Sequence, residues 1–545
     1  MTTVEESTAT HVPRIAWDQL VHATTALWRT QVVLIFTFGM PLVWLILIAL
    51  LAGNEAVGAD GVRIMQFAAP TAIAMGTFFA TMPSVAISLA EAREKGILKR
   101  VRGTPLPAWC YFFGQVGAAC LFAITSLVVT VLVSVLFYGV RLQADSLPAT
   151  AVTVVVGILA FSALGLGISS LSASTAIAEA VSIGSAVALS FVSGLFLVGA
   201  ELPVWLDRVA SALPLKPYAV ALQDQFNPYL ESGWDLAGLA IIAAWGTVGA
   251  VVALRAFRWE AQRSHRSTHG APADPVTMTV TRAVARPAPA TITTRPSRLA
   301  LFADQAMASL RVMWRRPGDV FFSLIMPIGL FALLVTTLGN GTFPDGQSVA
   351  LATAASMVTW GAGVAAFMNL AESVARARDT RLLKRFRSTP LPAQSYLAGK
   401  AVAALALAIV LLLAILTLGF VAFGLRIGLT GLLLGALILL LGTACLAACG
   451  FLLAVLVPSA RAVGAVGLFL IFVLSFFSDV FITTGPEWMD AVGSVFPLKH
   501  LQNGLATAWA SDGGEIPWLN ILILSGWTVV AGWLAVWRFR WEPSR

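Results

Sequence analysis

Lysine and arginine, rather than any nucleophile or metal-ligand set, are the residues whose spacing stands out in this chain. LKRVRGTPLP runs from Leu98 to Pro107, and LKRFRSTPLP returns from Leu383 to Pro392. Such a phrase makes and breaks no bonds; cations on a short amphipathic helix pair with acidic partners or with lipid head groups. Arg93 with Glu94, and Arg378 with Asp379, precede the two phrases and mix acid with base. Pure anchoring tolerates any arrangement of Lys and Arg, whereas a docking surface needs a shape. Near letter-for-letter retention favours docking, with a lipid anchor as the alternative.

Other chemistries are poorly supplied. No G-x-x-x-x-G-K-[ST] occurs; LAGKA at Leu397 to Ala401 lacks the upstream glycine and the following hydroxyl. Any ATP-driven step, with its Mg, therefore belongs to another chain, and no catalytic residue, cofactor or metal is expected in this one. Cys445 and Cys449 share a helix face, but two ligands do not make a soft-metal site. Four cysteines in 545 residues are no disulfide framework.

The charged phrases must be positioned by apolar elements, because 58% of the chain is hydrophobic and 11% charged, against about 25% charged in soluble proteins. Stretches long enough to span a bilayer lie near 32–52, 66–90, 108–138, 148–170, 180–200 and 236–256. A second set lies near 319–339, 349–371, 394–423, 429–457, 462–482 and 517–537. The expected fold is an all-α polytopic membrane protein of about twelve transmembrane helices, arranged as two tandem six-helix repeats. Between Arg93 and Gly114 there are 12 identities in 22 positions with Arg378 to Gly399. Further matches pair Met40-Pro41 with Met326-Pro327, Pro203–Asp207 with Pro486–Asp490, Lys216 with Lys499, and Phe257–Glu260 with Phe539–Glu542. An even number of spans makes the repeats parallel. The division is a disordered cytoplasmic tail at 1–13, units at 14–260 and 299–545, and a Pro-, Thr- and Arg-rich linker at 261–298. The polar N-terminus lacks the basic and apolar regions of a cleaved signal. Lys and Arg concentrate in loops 91–107 and 372–392, which places those loops and both termini in the cytoplasm of a cell-membrane protein.

Thr104-Pro105 and Thr389-Pro390 read as an N-cap followed by proline at the first helical position of the third spans. Segments 14–30 and 298–316 alternate faces at helical spacing and read as surface helices, with Trp17, Trp28 and Trp314 at the interface. Pro41 and Pro327 should bend their spans. Segments 201–235 and 483–516 are too polar to span and read as short helices re-entering the outer leaflet, where Glu201, Asp207, Glu487 and Asp490 cap the exit. Met75, Phe79 and Met82 form a stripe on the second span, with Trp360 and Phe367 at matching positions. With Phe191, Phe472, Phe476 and Asp479 they are candidates for a substrate path, packing alone being the alternative.

The acid–base stretch, LKRxRxTPLP and the Tyr and Gly before the third span resemble the permeases of ABC-2 type exporters, especially those of the daunorubicin and tetronasin kind. The resemblance covers nearly the whole chain as two fused units. It implies antibiotic or drug efflux and coupling helices that dock a separate cytoplasmic ATPase in two copies. It assigns Arg93, Glu94, Leu98, Lys99, Arg100 and Arg102 to one ATPase, and Arg378, Asp379, Leu383, Lys384, Arg385 and Arg387 to the other. Gly96 stands opposite Arg381 and Lys95 opposite Thr380, so the two surfaces need not be equivalent. The alternatives are a proton-driven transporter, poorly served by Glu179 and Asp479 alone, and an ATPase-docking sensor without cargo. Lipid-linked glycan is an alternative cargo. Nucleic acid is no expected partner; membrane lipids and a hydrophobic small molecule are.

Overall fold

Pro41 and Pro327 each remove an N–H from the helical ladder and crowd the carbonyl four residues back. In the computed structural model both lie at the end of a π turn, Ile35–Gly39 and Phe321–Ile325, which widens the ladder where the proline ring needs room. The carbonyl opposite Pro41, Thr37 O, is not left bare: Ser126 Oγ donates to it at 2.6 Å. The structure describes residues 12–57, 62–104, 106–196, 202–230, 233–259, 297–343, 346–387, 393–481, 486–510 and 515–538. Residues 1–11 and 260–296, most of the tail and linker, lie outside them.

The first unit comprises α1 (Val12–Trp28), α2 (Gln31–Leu34), α3 (Met40–Ala52), α4 (Met65–Glu94), α5 (Ile97–Arg102) and α6 (Ala108–Tyr138). It continues with α7 (Leu147–Leu171), α8 (Thr175–Val192), α9 (Val204–Ala212), α10 (Leu215–Phe226) and α11 (Leu236–Ala256). The second unit comprises α12 (Arg298–Trp314), α13 (Pro317–Val320), α14 (Met326–Leu338), α15 (Val349–Gly363), α16 (Leu370–Asp379), α17 (Leu382–Arg387) and α18 (Ala393–Phe423). It continues with α19 (Leu429–Leu456), α20 (Ala460–Phe477), α21 (Glu487–Gly493), α22 (Pro497–Ala510) and α23 (Trp518–Arg538). A two-residue antiparallel ladder, Ala56–Val57 with Val62–Arg63, is the one sheet among the described residues. Among the described residues ten helices are long and apolar enough to cross a membrane, and the shorter apolar helices Ile35–Leu51 and Ala462–Phe477 complete six per unit. The fold is all-α and polytopic, as the hydropathy pattern predicts.

The fifth span begins at Thr175 rather than near 180, because Ser174 Oγ accepts the Ile177 N–H and caps the helix. Ser459 does the same for Ala462. The second spans are the pillars of the two units. Met65–Glu94 has 30 residues, and Val349–Asp379, which includes a π segment at Val364–Asn369, has 31. At 1.5 Å per residue each is about 45 Å long, well beyond a hydrocarbon core of about 30 Å. Burial is nearly complete along the first and complete along the second in their most apolar stretches. Their ends therefore reach past the core as rigid extensions that carry α5 and α17.

The surface helices lie on the third spans at glycines. A Cβ on Gly114 would come within 2.8 Å of the Gln19 backbone, and one on Gly399 within 2.8 Å of Gln305 Cγ. Only glycine lets backbones approach so closely. Each fifth span packs chiefly in its own unit and also reaches the core of the other. Ile183 and Phe191 pack in the core of the second unit, while Phe472, Phe476 and Met489 pack in that of the first. The Phe321 ring rests where Gly184 has no side chain, so span one of one unit grips span five of the other.

Candidate functional site

Each of α5 and α17, the candidate coupling helices, is preceded by a left-handed residue, Gly96 at φ 70° and Arg381 at φ 58°. The sequence departure at this position leaves the turn itself unchanged. Leu98 and Leu383 are fully buried beneath their helices. Leu98 sits with Leu89, Ala92 and Tyr111, and Leu383 with Ala377 and Tyr396. Lys99, Arg100, Arg102 and Lys384 are exposed on the opposite face. Ile97 and Leu382, at matching positions, expose 41% and 40% of their surface. The apolar side predicted for α5 thus divides: Leu98 and Val101 pack inward, whereas Ile97 faces out among the cations. The side chains of Arg385 and Arg387 lie outside the described residues, as do Pro105 and 388–392.

Arg93, Glu94, Arg378 and Asp379 face a different task within the chain. The Arg93 guanidinium is buried and donates to Ser172 O just past the end of α7. Glu94 Oε2 accepts the Thr175 N–H at 2.8 Å, at the start of α8. In the second unit Arg378 donates to Ala454 O, Val457 O and Pro458 O at 2.7, 2.8 and 2.9 Å. Asp379 Oδ2 accepts the Ala460 N–H at 2.8 Å. A cation on the carbonyl end of span four and a carboxylate on the amide end of span five each complement a helix dipole. Together they clasp the loop between spans four and five to the root of the coupling helix. The acid–base mix noted in the sequence has this internal geometry, which its spacing alone did not reveal.

Thr104 does not cap the third span. Its hydroxyl donates back to Val101 O at 2.7 Å, closing the end of α5, and α6 starts at Ala108 after an extended Pro107. The proline at 107 forbids a helical conformation in the residue before it, so the helix cannot begin earlier.

Between the units runs a wholly apolar slit. It is lined by spans one and five of both units and by Trp360, with Phe36, Phe191, Phe196, Phe322, Phe472 and Phe481 among its walls. Its cavity volume is about 20 Å³, room for roughly one water molecule. The rings around it lock together: Phe191 to Phe196 at 4.6 Å, Phe472 to Phe476 at 5.1 Å, Phe476 to Phe481 at 5.2 Å and Trp44 to Phe196 at 5.4 Å between centroids. Of the path residues drawn from the sequence, Phe191, Trp360 and Phe472 line the slit, and Phe476 adjoins it. Met75, Phe79 and Met82 pack inside the first unit, and Phe367 inside the second. The helical stripe on span two marks a buried pillar. Phe36, Phe196, Phe322 and Phe481 were missed; the signal was the aromatic content of spans one and five taken together.

Asp479 stands apart from the slit. Its backbone is left-handed at φ 56°, and Lys499 Nζ lies 3.0 Å from its carboxylate. Lys499 also bonds Asp490, as Lys216 bonds Asp207 in the first unit. These repeated pairs join the two short helices after each fifth span, α9 to α10 and α21 to α22. Glu201 lies outside the described residues. Glu179, on α8, stands at the junction of the units under the charges of Glu372, Arg376 and Asp319. Its counterpart in the second unit is Gly464.

The ABC-2 type transporter family matches the chain over residues 20–226 and 306–508, once per unit. The chain belongs to that family and is a membrane permease of the ABC exporter type, a transport subunit whose ATPase is a partner. No curated protein matches it.

Proposed function

We propose that this chain exports hydrophobic or amphipathic small molecules, antibiotics among them, across the cell membrane. It supplies both transmembrane halves, and two copies of a cytoplasmic ATPase supply the ATP and Mg chemistry. The observation that carries the reading is the matched pair α5 and α17. Each has a leucine driven into the permease, cations and one aliphatic residue turned outward, and a stiff second span behind it. Closure of the ATPases would press these helices, and the second spans would pass the movement to the span-one and span-five interfaces. The slit would then open for cargo, with its apolar walls suiting greasy ligands of varied shape. Lys99, Arg100, Arg102 and Lys384, with Arg385 and Arg387, would form the docking charge. Arg93, Glu94, Arg378 and Asp379 would act from beneath it by holding the loop between spans four and five. The excess of Lys and Arg in these loops supports cytoplasmic termini.

The test is co-purification from native membranes followed by vesicle transport with and without ATP. A nucleotide-binding subunit should accompany the chain. Reversing charge at Lys99-Arg100 and Lys384-Arg385 should abolish transport while leaving insertion intact. Transport that survives both reversals, or that runs on an ion gradient with no ATPase present, overturns the proposal.

A further inference from the structure

Behind the first coupling helix lies a cavity of about 280 Å³ that the transport reading leaves unused. Arg93, Arg255 and Arg258 line it, together with Ser170, Ser172 and Phe257. Three arginines line the space where two helices end, α7 and α11. Each helix end contributes roughly half a negative charge, and Glu94 beside Arg93 contributes one more. The arginines outweigh them by about one unit of positive charge. The two units differ at this point. Arg378 spends its guanidinium on three carbonyls, whereas Arg93 bonds one, Ser172 O. Arg93 lines the cavity, and Arg255 and Arg258, which also line it, are exposed.

The surroundings are those of a membrane surface. Leu171, which also lines the cavity, and Leu254, beside Arg255, expose 71% and 84% of their surface. Phe112, Phe257 and Trp259 stack edge to face on the neighbouring side. A cationic pocket bordered by bare leucines and interfacial aromatics suits a head group whose acyl chains run down the helices. We propose that this cavity binds the phosphate group of an anionic phospholipid. Because Arg93 roots the first coupling helix and holds the loop between spans four and five, the lipid stiffens one coupling helix and not the other.

The experiment is native mass spectrometry of the purified full chain titrated with phosphatidylglycerol or phosphatidylcholine. Wild type should bind its first phosphatidylglycerol more tightly than phosphatidylcholine. Arg255→Gln with Arg258→Gln should weaken that binding about 25-fold, the product of about fivefold per arginine near an anionic surface, and Arg255→Lys with Arg258→Lys should keep most of it. Arg258→Gln alone, in an exposed non-helical segment, should cost about fivefold and serves if the double variant does not fold. Equal affinity of wild type for the two lipids overturns the proposal, as does unchanged phosphatidylglycerol binding in a folded Gln variant. If millimolar inorganic phosphate displaces the lipid fully, the site belongs to a soluble phosphate and the lipid assignment fails. None of these outcomes depends on an ATPase co-purifying.

Discussion

Replacing Arg378 by Ala tests whether the residue at the root of the second coupling helix is a structural clasp. The guanidinium makes three hydrogen bonds to carbonyls at the end of span four, two of them partly buried and one exposed. A charged hydrogen bond contributes about 1.5–3 kcal/mol net. Water replaces the exposed bond, so the two partly buried ones set the loss at about 3 kcal/mol. For a cooperative unit of roughly the size of one repeat, each kcal/mol moves Tm by about 2–4 °C, giving a drop of about 6–12 °C. Arg93→Ala removes a single such bond and should lower Tm by about half as much. Lys384→Glu, on the exposed face of α17, should move Tm by less than about 2 °C. Tm of the purified variants, read by intrinsic tryptophan fluorescence, is the assay. If Arg93→Ala costs as much as Arg378→Ala, or if Lys384→Glu destabilises more than either, the division into clasp and outer face is wrong.

Ser126→Ala strips the donor from Thr37 O, the carbonyl beside Pro41, and should cost about 1–2 kcal/mol in SDS-induced unfolding; Ser126→Thr should recover most of it. Gly399→Leu pushes a side chain into Gln305 and the backbone of α12, an overpacking of about 1–3 kcal/mol. Trypsin should then cut after Arg315 several-fold faster, and unchanged cleavage would refute the close approach. Lys499→Met leaves Asp479, 26% exposed, without its cation, costing about 2 kcal/mol, between the surface and the buried case. The matching Lys216→Met, whose partner Asp207 is half exposed, should cost about 1 kcal/mol or less; equal Tm losses would contradict the burial argument.

Much of this architecture can be read without coordinates, because its determinants are local or repetitive. Apolar length sets the spans, the duplicated letters set the two units, and an even number of spans makes them parallel. The paired prolines mark span one. What a one-dimensional reading misassigned were side chains with two plausible partners. Met75, Phe79 and Met82 look like a ligand-facing stripe until span two proves to be buried all round. Thr104 looks like a forward cap until Pro107 delays the helix and the hydroxyl turns back to Val101.

The chain's own letters determined that it is a duplicated, all-helical membrane protein with two cationic phrases on the same side, since hydropathy, charge and repetition act residue by residue. Only the tertiary structure decided which charges turn inward to clasp helix ends, which face out, and that each fifth span also reaches the other unit's core. Those outcomes depend on distances between residues some 80 to 290 positions apart in sequence, which no local pattern encodes.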